Sequence, residues 1–115
     1  KVGACLLTED GNFYGGFNIE CAAYSVSNCA ERTAIFRAIY DGHTIFKAIS
    51  VVGGDENQTN HFSDFCPPCG VCRQSLREFC NPKIFKVVLA KSTNEFKIFT
   101  LDELLPNSFG PNNLK

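Results

Sequence analysis

Two short stretches, C-A-E-R-T at residues 29–33 and C-P-P-C-G-V-C-R at residues 66–73, constrain this chain more than any other part of it. A hydrophobic core does not require three cysteines within seven positions, nor another placed two residues ahead of a glutamate. The seven cysteines stand at positions 5, 21, 29, 66, 69, 72 and 80, an odd number that cannot all pair within one chain. The sequence shows no basic-then-apolar start of the kind that directs secretion. The expected compartment is therefore the reducing cytoplasm, where such spacing indicates metal binding or catalysis rather than bridges.

The rest of the sequence sets the scaffold for that chemistry. At 115 residues, with 44% apolar and 20% charged residues, the expectation is one soluble domain spanning residues 1–115. A net charge of -1 argues against a nucleic-acid polymer as partner, because phosphate backbones are held by clustered Lys and Arg. No apolar run approaches the roughly 20 residues of a membrane span.

Periodicity predicts seven main elements. Residues 2–8 and 13–20 read as strands joined by a turn at Asp10-Gly11. Gly15 and Gly16 suggest a bulge or a close backbone approach in the second strand. From Cys29 onward, Ala30, Ala34, Ile35, Ala38 and Ile39 recur at helical spacing, with Ser27 or Asn28 as N-cap and Gly42 as stop. Residues 46–54 form a buried-strand pattern, 70–80 a second helix, and 83–91 and 96–101 two further strands, before one helical turn at 102–105. The order β-β-α-β-α-β-β predicts an α/β fold, a three-layer-type sandwich around a mixed five-stranded sheet.

In that fold Cys29 begins one helix, and Cys69 and Cys72 begin the next. Both helices follow strands of one sheet, so their N-termini can open at the same end and their thiolates can converge on one ion. Zinc suits such a set, and three protein ligands leave the fourth position for water, as in catalytic sites. Cys66 leaves an alternative open, since four thiolates would close a structural site. His43 and His61 read as solvated side chains. Glu31, in the first helical turn, can exchange protons with a water in the open position. A glutamate at a helix start is also favourable simply through the dipole. Zinc with three thiolates carries an excess negative charge that opposes ionising a bound water. Two helix N-termini offset it, and Arg32, with Arg73 as a second candidate, can donate hydrogen bonds to the sulfurs.

The pair C-A-E-R-T-A-I and P-C-G-V-C-R-Q resembles the zinc-dependent cytidine deaminase family, in its small all-cysteine form. The similarity extends to V-G-A-x-L-L-T-x-D-G, F-N-I-E-x-A-x-Y, R-E-F and L-L-P-N-S-F-G-P, nearly the whole chain. The resemblance implies one Zn²⁺ per chain and hydrolytic deamination of cytidine and 2′-deoxycytidine at C4, in pyrimidine salvage. Glu31 would protonate N3 and then the leaving amine. The backbone around Ala30 and Cys69 would read the base, and Asn18 and Glu20 would hold the ribose hydroxyls. It further implies a homotetramer with shared sites, in which Ala22 and Tyr24 approach a neighbour's sugar and Phe109 stacks on a neighbour's base. The family pattern has a helix before V-G-A, whereas this sequence begins at Lys1, so either the element is absent or the sequence is a fragment; Pro67, Cys21 and a long 55–65 loop also depart from the pattern. Three rivals remain: a deaminase of another nucleoside such as a nucleoside antibiotic, a non-catalytic zinc-stabilised module, and a redox protein using Cys69 and Cys72.

Overall fold

The turn expected at Asp10-Gly11 does open the fold. Gly11 has φ 93°, a conformation that suits glycine, and its N–H donates to Thr8 O at 3.2 Å. This turn joins β1 (Val2–Thr8) to β2 (Phe13–Phe17), paired antiparallel with Leu6 opposite Tyr14. The computed structural model describes residues 1–23, 27–53 and 64–114. Its further elements are α1 (Ala30–Tyr40), β3 (Phe46–Gly53), α2 (Gly70–Phe79), β4 (Lys86–Ala90), β5 (Phe96–Thr100) and the short α3 (Leu101–Leu104). A 3-10 turn over Pro111–Leu114 follows. The sheet order is β2-β1-β3-β4-β5, antiparallel throughout except for the parallel pair β3 and β4. The sheet is thus mixed and five-stranded, as the sequence predicts.

The element boundaries differ most in two strands. β2 stops at Phe17 rather than Glu20, because its partner β1 begins at Val2 and pairing ends near there. Ile19 instead forms an isolated bridge with Asn28. β4 starts at Lys86 rather than Lys83. Residues 82–84 turn instead, with Phe85 N–H donating to Asn81 O at 2.9 Å, which drives the Phe85 ring fully into the core.

The first helix has a different cap from the one expected. Cys29 is the N-cap and makes no side-chain capping bond. Asn28 is occupied in the bridge to Ile19, and its Nδ2 donates to Thr33 Oγ1 at 3.1 Å; Ser27 Oγ accepts from the Cys21 N–H at 2.9 Å. Gly42 ends the helix as expected, with φ 94° and its N–H on Ile39 O. The close approach suggested by the glycine pair is real at Gly16. A Cβ there would lie 2.5 Å from Ala30 O and 2.7 Å from Ala34 N, so only glycine lets α1 seat its first turns on β2.

One sheet face, with Leu6, Ile49, Val51, Val87 and Leu89, is buried against Ala34, Ile35 and Ala38 of α1 and Leu76 of α2. The alternate positions, including Cys5, Phe17, Ser50 and Ile98, lie on the opposite face, where Phe17 and Ile98 are exposed. Two of the expected three layers are therefore seen among the described residues. No helix among these residues is long and apolar enough to cross a membrane.

Candidate active site

Seating α1 on β2 brings the start of α1 beside the start of α2. Among the described residues, the Sγ atoms of Cys29, Cys69 and Cys72 lie within 4.8 Å of one another. The Cys29–Cys69 separation is 3.9 Å and the Cys69–Cys72 separation 3.5 Å. A disulfide needs about 2.05 Å. Thiolates about 2.3 Å from a tetrahedral zinc stand roughly 3.8 Å apart, so the trio fits that ion. Cys66 does not join the group. Its thiol packs where a side chain on Gly53 would otherwise sit, within 2.8 Å of the position of a Cβ there. A closed four-thiolate set is not formed.

The thiols respond differently to their surroundings. Burial raises Cys72, and the neighbouring Cys29 and Glu31 raise it further. Burial also raises Cys69, but hydrogen bonds involving Cys72, Cys29 and the backbone outweigh it and leave this thiol below its ordinary value. Cys66 is raised by burial and by the nearby Glu31 charge. Three adjacent thiolates repel, and a divalent cation is the natural means of ionising all of them together. Arg32 Nη2 donates to Cys29 Sγ at 3.5 Å, a bond that raises the Arg32 pKa further. Its buried Nε has no acceptor among the described residues. Arg73, the second candidate for this role, does not reach a sulfur: its guanidinium donates to Pro68 O and Leu104 O. It sits on the side of α2 that faces the chain entering Cys69, and those carbonyls take its donors.

Glu31 is 3% exposed, an unusual placement for a carboxylate. It lines a cavity of about 390 Å³ together with Cys29, Cys69, Cys66, Asn18 and Glu20. Ala30 and Arg32 also reach this cavity. Asn18 is pinned beside it: its Oδ1 accepts from Val2 N–H at 2.9 Å and its own N–H donates to Val2 O at 3.2 Å. A larger hollow of about 650 Å³ lies on the open sheet face around Cys5 and Ser50, and none of the three thiols borders it. The smaller cavity is the one with chemistry in it.

Residues 1–90 match the family model for the cytidine and deoxycytidylate deaminase zinc-binding region. The chain belongs to the cytidine deaminase family. A cytidine deaminase of Sporosarcina psychrophila is 45% identical over 113 residues, covering 98% of this chain and 77% of the relative. One from Halalkalibacterium halodurans is 42% identical, covering 95% and 76%. The crystal structure of cytidine deaminase from Burkholderia pseudomallei superposes with a TM-score of 0.79 at 39% identity, covering 94% of this chain and 80% of that one.

Of the other residues named from the resemblance to this deaminase family, Ala22 and Phe109 do not line the cavity. Ala22 is exposed on the loop after Glu20, and Tyr24 lies outside the described residues. Phe109 is 58% exposed, with its carbonyl accepting from Gln74 Nε2 at 2.9 Å. His43 sits at the opposite end of α1, 3.7 Å from Asp10 and edge-on to Tyr14, and His61 lies outside the described residues. The reading of the sequence missed Cys66 as a cavity wall. Cys66, which the sequence left open as a fourth thiolate, stands apart from the other three and forms part of the wall in the room that Gly53 leaves.

Proposed function

We propose that this deaminase hydrolyses cytidine and 2′-deoxycytidine to uridine and 2′-deoxyuridine, releasing ammonia, in pyrimidine salvage. The observation that carries the reading is Glu31: a carboxylate 3% exposed, beside three converging thiols, in a cavity of nucleoside size. Cys29, Cys69 and Cys72 would hold one Zn²⁺ per chain. When bound, the ion supplies Lewis acidity that makes water a nucleophile near neutral pH. Glu31 would accept the proton given up as the water oxygen bonds to C4 and pass it to N3 of the pyrimidine, then take the remaining proton from the hydroxyl now on C4 and pass it to the amine as the C4–N bond breaks. Its burial keeps competing water from these transfers. The Ala30 and Cys69 backbone reads the base edge. Asn18, already fixed by Val2, and Glu20 hold the ribose hydroxyls. Arg32 withdraws charge from Cys29 and favours ionisation at the open position.

The same reading places the chain, a single deaminase unit, in the cytoplasm as a homotetramer. Ala22 and Tyr24 approach a neighbour's sugar, and the exposed Phe109 extends to a neighbour's base. The test joins metal analysis to the loss of cytosine absorbance on adding cytidine. Wild type is expected to carry zinc and turn over. Glu31→Gln should keep its zinc and lose at least about 10²–10⁴ in kcat, the usual value of general acid–base catalysis. A wild-type protein that holds zinc but leaves cytidine intact would favour the non-catalytic module. Equal turnover in Glu31→Gln would remove the role given to Glu31.

A further inference from the structure

Of the three thiols, Cys72 is held by burial and Cys29 by Arg32, but Cys69 is exposed. With its side chain exposed, its direction follows the main chain that carries it. Arg73 grips the chain on both sides of it. The guanidinium Nε donates to Pro68 O at 2.7 Å, and the Arg73 main-chain N–H donates to Cys69 O at 2.9 Å. Pro68 is itself fully buried, so the peptide entering Cys69 is clamped between core and guanidinium. The other arm of Arg73, Nη1, donates to Leu104 O at 2.6 Å. Leu104 ends α3, and its carbonyl belongs to the last turn, where a helix leaves acceptors without internal partners. A guanidinium can serve two carbonyls in fixed directions at once, whereas an ammonium offers no such planar fork.

We propose that Arg73 is a positioning residue for the metal: it fixes the direction of Cys69 and ties zinc retention to the docking of α3. This rests on the reading that Cys29, Cys69 and Cys72 bind zinc. The neighbouring side chains Gln74 and Arg77 hold later parts of the tail, through Phe109 O and Ser108 Oγ, and reach neither Pro68 nor Leu104. They therefore supply the control.

The experiment measures zinc affinity by chelator competition on the full chain for wild type, Arg73→Lys, Arg73→Gln and Arg77→Ala. The thiolate-to-cobalt absorption of the cobalt-loaded proteins is recorded alongside. Both Arg73 variants should bind zinc about 10–100-fold more weakly, the range for residues that orient metal ligands, and should show an altered cobalt spectrum. Arg77→Ala should match wild type in both. Lysine is the informative variant, because it keeps the charge and a long stem and is the less disruptive of the two. Wild-type zinc affinity and cobalt spectrum in Arg73→Lys would overturn the proposal. So would an equal loss in Arg77→Ala, which would mean that any loosening of α2 suffices. A wild-type chain that takes up no zinc would instead overturn the metal reading underneath.

Discussion

The two helix starts that meet at the site both open on a cysteine, C-A-E-R at the head of α1 and C-G-V-C at the head of α2, and their burial is inverted. Each begins with a cysteine N-cap that makes no side-chain capping bond. Two residues on, α1 carries Glu31 at 3% exposure and α2 carries Val71 at 59%. Partitioning between water and core would place them the other way round. The contrast teaches that the two starts divide the work. The head of α1 gives up stability to hold an acid in place. The head of α2 supplies two of the three sulfurs and no acid.

The sharpest way to break that contrast is at Cys72. Cys72→Ala should abolish zinc binding and turnover together, whereas a change at Glu31 removes turnover and spares the metal; metal analysis of the purified variant decides. Zinc retained at the wild-type level in Cys72→Ala would end the division of labour.

The seat of α1 gives a middle-sized test. Gly16→Ala places a methyl 2.5 Å from Ala30 O, so α1 must shift, at a cost of about 1–3 kcal/mol in denaturant unfolding. Because Cys29 and Glu31 both move with α1 while Cys69 and Cys72 stay with α2, zinc affinity and kcat should fall together. The smallest effect belongs to Val71. Val71→Ser, on an exposed position, should change stability by no more than about 0.5 kcal/mol and leave kcat as it was. A large fall in kcat there would show that the exposed half of the pair also serves the reaction.

The sequence made much of this arrangement legible. Glycines at turns, helical spacing after Cys29 and buried-strand patterns located every strand and both long helices. The cysteine spacing picked out the three sulfurs that converge. What escaped depended on partners remote in the chain. Ser27 and Asn28 have ideal capping side chains, but Cys21 and Thr33 claim them. The end of β2 is set by where β1 begins, which no local pattern records. Arg73 looks like a ligand-stabilising cation from its neighbours alone; only the fold brings Leu104 to it. The place of Cys66 in the cavity wall was not legible, because the glycine that admits it, Gly53, ends another element.

Cys29 and Cys69 touch across a separation of 40 positions. All of β3 lies between them in the chain. Closing so long a loop is entropically slow, and the two halves of the cluster cannot meet until the central strand has been laid down beside β1. Loading therefore comes late in folding. A nascent chain offers an ion only the Cys69–Cys72 pair, a weaker and less selective chelate, and only the near-finished protein offers the whole cage.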